Sequence, residues 1–184
     1  MRTIFAIALA ATLLGATAFS RNVCFRVTVV QSSATAAPNQ FKPSIALVRA
    51  PDVAKLREQA QGQVLVINFW ATWCHGCVAE FPEFVAFDET YRQKGARIIG
   101  ISLDSASDID TKVAPFIKKS RAHFDILVPD MADPQPVIDA VTKEWTGAMP
   151  ATFIFDQHGT LAYRRFGVID HDETAAVLER LLKS

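Results

Sequence analysis

Two cysteines separated by two residues are the most chemically informative feature of the sequence. They stand in the segment Trp73-Cys74-His75-Gly76-Cys77, and such a pair at the start of a helix can close reversibly into a small disulfide ring. The free amides of the first turn and the helix dipole favour a thiolate over a thiol. We therefore predict that Cys74 is an exposed nucleophile and that Cys77, one turn further on, is shielded and resolves the mixed disulfide.

Three other interpretations of the cysteine pair make different demands on the sequence. A structural zinc site requires four ligands, but apart from the pair the chain has only Cys24 and four scattered histidines. Haem attachment requires a histidine directly after the second cysteine, where Val78 stands, so it is excluded. Inert packing of two core cysteines stays open. No metal or organic cofactor is therefore expected.

Two ionisable residues near the pair are candidates for assisting thiol exchange. An imidazolium at His75 would favour the Cys74 thiolate, whereas a histidine that only faces solvent would have no effect. Glu80 lies three residues after Cys77 and can accept its proton through water, with a pKa raised by desolvation. The alternative for Glu80 is an ordinary solvated helix carboxylate. Both pairs of alternatives stay open.

A buried strand and the helix that follows it must position the cysteines. Residues 64–70 form a nearly continuous apolar run, which predicts a central strand covered on both faces. From Cys77 onward the apolar residues have helical spacing, with a stop at Lys94-Gly95 and a kink at Pro82. Residues 97–102 predict a second strand, which completes a right-handed β-α-β unit.

The rest of the chain shows alternating signals for helices and strands. We predict helices at 108–120 and 134–145 separated by a short apolar stretch at 124–128, a hairpin of 151–155 and 161–166, and a closing helix at 173–183.

The first 18 residues have the order of a secretory signal peptide. Met1 and Arg2 precede an apolar run over residues 4–14, and Ala16-Thr17-Ala18 supplies a small-residue cleavage site. The apolar run is shorter than the ~20 residues that span a bilayer. Cleavage after Ala18, or later near Ala36, is therefore favoured over an uncleaved membrane anchor.

Composition limits the remaining function classes. The 19 basic and 19 acidic residues balance, so no net field attracts nucleic acid or an anionic membrane surface. Residues 19–40, which include Cys24, are interpreted as a linker, and residues 41–184 as one domain.

Several motifs in order carry a resemblance to a known family. Residues 66–77, Val-Ile-Asn-Phe-Trp-Ala-Thr-Trp-Cys-His-Gly-Cys, resemble the active-site segment of thioredoxins, above all the extracytoplasmic TlpA/ResA/DsbE branch. Pro82 is similar to the kink proline of that family, Gly167 to a further family glycine, and residues 147–153 to the loop with its cis-proline. The likeness runs from about residue 41 to the C-terminus.

The resemblance implies a fold and an activity. The expected fold is the α/β thioredoxin fold, a central mixed β-sheet flanked by helices, with a TlpA-like insertion between Asp104 and Trp145. The expected activity is reduction of protein disulfides outside the cytoplasm, in the periplasm, with apocytochrome c as one substrate and a membrane thiol-disulfide protein as electron donor. A monomer is expected.

The resemblance also implies roles for individual residues. A cis bond before Pro150 would expose the backbone of Met149 to a substrate chain, and Trp73 and His75 would complete the substrate-binding surface. Glu80 matches a glutamate of the TlpA-like branch. Two departures are the His75-Gly76 dipeptide, which is not the usual proline-containing pair, and Asn68, which replaces the buried aspartate of classical thioredoxins.

Two other function classes stay open. A peroxiredoxin-like peroxidase would share the fold, but the sequence lacks the Pro-x-x-x-Thr-x-x-Cys signature before Cys74. A non-enzymatic binding module would use the same groove without needing the cysteines.

Overall fold

A six-stranded mixed β-sheet with helices on both faces forms the centre of the protein. The structure is a computed structural model that describes residues 43–145 and 147–184. The signal peptide predicted for residues 1–18 and the linker predicted for residues 19–40, which contains Cys24, lie outside the described residues. The strands are β1 (Ile45–Val48), β2 (Val64–Trp70), β3 (Ala96–Ser102), β4 (Asp125–Pro129), β5 (Ala151–Phe155) and β6 (Leu161–Phe166). The α-helices are α1 (Ala50–Gln59), α2 (His75–Tyr91), α3 (Ala114–Ser120), α4 (Gln135–Val141) and α5 (His171–Leu181).

The strand order places the predicted β-α-β unit in the middle of the sheet. The order is β1-β4-β3-β2-β5-β6, in which β1, β4, β3 and β2 are parallel, and β5 and β6 are antiparallel to their neighbours. All seven residues of β2 are buried, and its bounds are those predicted for residues 64–70. The predicted hairpin of β5 and β6 is also confirmed.

Two apolar cores lie on opposite faces of the sheet. Side chains alternate along β2, so that Val66 faces the core formed with α2, α3 and α5, and Ile67 faces the core formed with α1 and α4. The mixed sheet with helices on both faces confirms the predicted α/β class. Among the described residues, no helix has both the length and the apolar character needed to cross a membrane.

Two predicted helices differ from the structure. The helix predicted over 108–120 is a 3₁₀ turn and a π-helical segment that lead into α3. The helix predicted over 134–145 ends at Val141, because Trp145 stacks on Phe69 with ring centroids 5.0 Å apart and donates its indole N–H to the Ala148 carbonyl at 2.8 Å. Tertiary packing thus takes these last residues out of the helix.

The sequence patterns missed β1 and α1. The strand has only four residues, of which Val48 alone is buried, and the helix buries only Val53. β1 is a run of four apolar residues, too short to show a period of two, and α1 has too few large apolar residues to show a period of 3.6.

The lack of a side chain at Gly100 in β3 leaves room for the side chains of Trp70 and Ile126. A Cβ at Gly100 would lie 2.9 Å from both Trp70 Nε1 and Ile126 Cδ1. We expect Gly100→Ala to lower the free energy of unfolding by about 1–3 kcal/mol, as overpacked cores do, measured by urea denaturation. Gly76→Ala is the control. Gly76 lies inside α2, where alanine is favoured, and a Cβ there would lie 3.4 Å from Val168 Cγ2, an ordinary contact distance. Equal losses in both variants would contradict this explanation.

Candidate active site

The cysteine pair lies where β2 leads into α2. The two sulfurs are bonded, with an S–S distance of 2.02 Å, so the structure describes the oxidised protein. Cys74 is the N-cap of α2, and its Sγ accepts a hydrogen bond from the backbone N–H of Cys77 at 3.2 Å. A thiolate formed here on reduction would gain from that donor and from the helix dipole.

The two sulfurs differ in access to solvent. Cys77 is fully buried, whereas Cys74 is 9% exposed. The prediction that Cys74 is exposed is therefore wrong in degree, because the helix start packs against neighbouring loops. The difference runs in the predicted direction, since Cys74 is the more exposed of the two residues.

Glu80 is a buried carboxylate and not a solvated one. It is only 2% exposed, and it lies three residues after Cys77 on the same buried face of α2. Its Oε1 accepts a hydrogen bond from Asn68 Nδ2 at 3.2 Å, and its Oε2 accepts one from the Ile169 backbone N–H at 2.9 Å. Burial raises the pKa of Glu80 to about 7, and these two hydrogen bonds limit the rise.

Asn68 and Ile169 are the partners of Glu80 that the sequence did not assign. Asn68 is a buried residue of β2 that also donates to Thr152 Oγ1 in β5 at 3.2 Å. The replacement of the buried aspartate of classical thioredoxins by Asn68 was the available signal. Ile169 contributes a backbone N–H, and no side-chain pattern marks such a donor.

The loop before β5 lies directly against the start of α2. The Met149–Pro150 peptide bond is cis, as predicted, and the Pro150 carbonyl accepts a hydrogen bond from the Gly167 N–H at 2.8 Å. A Cβ on Gly76 would lie 3.5 Å from Pro150 Cδ and 3.4 Å from Val168 Cγ2. The structure therefore brings the predicted cis-proline beside the Cys-x-x-Cys segment.

The surface around the disulfide is apolar and open. Trp73 is 66% exposed and Val168 is 49% exposed, and His75 is exposed as well. A cavity of about 300 Å³ beside Trp73 is lined mainly by apolar side chains: Trp73, Leu103, Ile138, Trp145 and Met149. A larger cavity of about 460 Å³ has charged walls and lies at the amino ends of the parallel strands, away from the disulfide.

Asp104 is a further buried carboxylate near the site, and sequence reasoning did not give it a role. It accepts hydrogen bonds from the Thr72 backbone and hydroxyl and from the Ser102 hydroxyl. The available signal was its place just after β3, where the carboxyl ends of adjacent parallel strands meet.

The part of the chain that the structure describes contains no group of three or more histidine, cysteine, aspartate or glutamate side chains placed to hold a metal ion.

Fold and site together define a thioredoxin-fold protein with a redox-capable disulfide at the start of its second helix. The model of the AhpC/TSA family matches residues 42–164. The chain belongs to the AhpC/TSA family.

Named relatives agree with the predicted resemblance. The thiol-disulfide oxidoreductase ResA of Oceanobacillus iheyensis is 31% identical over 101 residues, which are 55% of this chain and 48% of ResA. The sporulation thiol-disulfide oxidoreductase A of Bacillus subtilis is 20% identical over 125 residues, which are 68% of this chain and 72% of the relative. The chain thus spans about half the length of the first of these proteins.

Solved structures confirm the fold. A thioredoxin family thiol:disulfide interchange protein from Chlorobium tepidum has a TM-score of 0.58 at 23% identity, covering 68% of this chain and 83% of its own. A secreted Mycobacterium tuberculosis disulfide oxidoreductase homologous to E. coli DsbE has a TM-score of 0.54 at 20% identity, covering 67% of this chain and 86% of its own. The predicted thioredoxin fold is therefore confirmed.

The raised pKa of Glu80 predicts a pH dependence of stability. The folded protein holds the Glu80 proton more tightly than the unfolded chain does, so this contribution is complete below about pH 4.5 and is lost as the pH rises through about 7. Glu80→Gln cannot ionise at this position. Relative to this variant, the wild type should lose about 3 kcal/mol of unfolding free energy as the pH rises from 4.5 to 8.5. Urea denaturation of the oxidised proteins measures the difference.

Glu89→Gln is the matched control for this experiment, because it removes a carboxylate from the exposed side of the same helix. It should follow the wild-type curve. A constant difference between wild type and Glu80→Gln from pH 4.5 to 8.5 would refute the prediction.

Proposed function

We propose that the protein is a thiol-disulfide oxidoreductase that exchanges the Cys74–Cys77 disulfide with disulfides of protein substrates outside the cytoplasm. The observation that carries the proposal is the position of Cys74 as the N-cap of a 17-residue helix, with the Cys77 N–H directed at its sulfur. The names of ResA and of the sporulation oxidoreductase support the same activity.

The proposed exchange proceeds in two displacements on the reduced enzyme. The Cys74 thiolate attacks a substrate disulfide, forms a mixed disulfide and releases one substrate thiolate. Cys77 then gives its proton to Glu80 and attacks Cys74 Sγ, which releases the second substrate thiolate and closes the enzyme disulfide. Two electrons pass from the enzyme to the substrate, and a thiol donor must restore them.

Glu80 suits the second displacement because its pKa of about 7 leaves it part ionised near neutral pH. A base works best when its pKa is close to the working pH. The buried carboxylate and the buried thiol lie one helical turn apart, out of reach of bulk water. Glu80 is therefore our candidate proton acceptor for Cys77.

Substrate binding is assigned to the surface beside the disulfide. The cis bond before Pro150 leaves the backbone of Met149 available to pair with an extended substrate chain, and Trp73 offers an exposed apolar wall. The cavity of about 300 Å³ next to Trp73 has room for an apolar side chain of the substrate. His75 is exposed at the start of α2, and an imidazolium at this position would favour the Cys74 thiolate.

The direction, location and partners follow from the family resemblance. We propose that the protein works as a monomeric reductant in the periplasm, with apocytochrome c cysteines among its substrates. Because that compartment is oxidising, a membrane thiol-disulfide protein must supply the electrons. The similar M. tuberculosis protein is described as secreted, which supports a location outside the cytoplasm.

A peroxidase is the competing function within this fold. The peroxidatic signature Pro-x-x-x-Thr-x-x-Cys would place proline at position 67 and threonine at position 71, where the chain has Ile67 and Ala71. We therefore favour disulfide exchange. Measured consumption of peroxide with thiol-dependent turnover, without reduction of protein disulfides, would reverse this preference.

Single serine variants test the roles of the two cysteines. Cys77→Ser keeps the attacking thiolate but cannot release its product, so it should accumulate mixed disulfides with substrate proteins. Cys74→Ser should trap almost none, because Cys77 is fully buried, and both variants should lose multiple-turnover disulfide reduction. Non-reducing gels and mass spectrometry measure the trapped complexes. Equal trapping by both variants would mean that the roles are reversed or that the pair is not catalytic.

Replacement of Glu80 tests the proton acceptor. Glu80→Gln should slow the resolution of a preformed mixed disulfide by about 10- to 100-fold near pH 8, because the amide cannot accept a proton. The difference should shrink below pH 6, where the wild-type carboxyl is itself protonated. Stopped-flow single-turnover measurements give the rates, with Glu89→Gln as the control. Identical rates from pH 6 to 9 would remove Glu80 from the mechanism.

A further inference from the structure

We propose that Asp104 is a positioning residue that acts through Thr72 to hold the turn before Cys74 in the geometry that disulfide exchange requires. The inference rests on the proposed function and adds to it a residue that touches neither the sulfurs nor the substrate. It concerns the chain that links β2 to α2.

The contacts of Asp104 form a closed set. The side chain is 4% exposed. Its Oδ2 accepts from the Thr72 N–H at 2.9 Å and from Ser102 Oγ at 2.6 Å, and its Oδ1 accepts from Thr72 Oγ1 at 2.5 Å. The Asp104 N–H donates back to Ser102 Oγ at 3.2 Å. Both carboxylate oxygens are thus used, and each of them binds Thr72.

These contacts join two strand ends on either side of the active-site turn. The Leu103 N–H donates to the Trp70 carbonyl at 2.8 Å, and the Cys74 N–H donates to the Ala71 carbonyl at 3.2 Å. Thr72 lies in the chain between Ala71 and Cys74. Its backbone N–H and its hydroxyl both donate hydrogen bonds to the Asp104 carboxylate. The end of β3 therefore fixes the path of the chain that enters α2 at Cys74.

The three hydrogen bonds to one buried carboxylate explain why this contact is strong and specific. Hydrogen bonds to an ionised carboxylate are shorter and about twice as strong as those between neutral groups. The hydrogen bonds from Thr72 and Ser102 compensate Asp104 for the loss of water on burial. A Thr72 that moved away would leave the carboxylate with too few donors.

The expected consequence is on the equilibrium between dithiol and disulfide. When the ring is open, a fixed turn keeps Cys74 Sγ close to Cys77 and raises their effective concentration for closing. A loosened turn lowers that concentration, so the disulfide becomes easier to reduce. General destabilisation of the fold does not by itself change this ratio within the native protein.

The test compares Thr72→Val with Thr72→Ser. Valine has the shape of threonine without the hydroxyl donor, and serine keeps the donor. We expect Thr72→Val to lower the disulfide-forming equilibrium constant against glutathione about tenfold, which makes the potential about 30 mV less negative. Thr72→Ser should stay close to the wild type. Multiple-turnover disulfide reduction by Thr72→Val should fall as well.

Two further variants complete the design. Ser44→Ala is the matched control, because Ser44 Oγ donates to Asp125 Oδ1 at 2.7 Å at the opposite edge of the sheet, and it should leave the potential unchanged. Asp104→Asn should shift the potential in the same direction as Thr72→Val, and it decides the question if Thr72→Val does not fold.

The outcomes separate this inference from the proposed function. Equal potentials in the wild type and in folded Thr72→Val, or equal shifts in Thr72→Val and Thr72→Ser, would overturn the positioning role. A wild type that equilibrates with glutathione but never reduces protein disulfides would instead refute the proposed function. The potential shift would then still report on Asp104.

Discussion

The complete burial of β2 is the constraint on which the rest of the molecule depends. A strand covered on both faces by apolar cores contacts solvent and loops only at its ends. The chain therefore leaves the core at the carboxyl end of β2, and α2 begins there. The first turn of α2 therefore meets the edge of the sheet with its amides free, and Cys74 occupies that point as the N-cap. The helix dipole, the disulfide and the cis-proline loop all converge there because β2 runs through the centre of the sheet.

Polar residues inside this apolar frame are few and grouped. Asn68 interrupts the apolar run of β2, Thr152 interrupts β5, and Glu80 interrupts the buried face of α2. Separately, each would be a costly buried polar group, but together with the Ile169 N–H they satisfy most of one another's hydrogen-bonding needs. The fold therefore keeps a titratable carboxyl inside the protein with neutral hydrogen-bond donors.

Sequence reasoning succeeded where a residue's own chemistry carries the signal. The strand at 64–70, the cysteine pair and the cis-proline at Pro150 were all predictable, because apolar runs and specific motifs mark them. It failed where a residue's role depends on another residue that is near only in the folded protein. Asp104 stands in a polar stretch like any loop aspartate until Thr72 is placed beside it, and β1 is too short to have a period.

The contact between Glu80 and Ile169 has a consequence for the order in which the site is completed. The two residues lie 89 positions apart, so a chain emerging from the ribosome contains both cysteines and Glu80 long before Ile169 has been synthesised. In that interval Glu80 stands in an unfolded segment without the Ile169 N–H as a donor. The buried setting that raises the pKa of Glu80 is complete only when Ile169 and the C-terminal part of the domain have packed against α2.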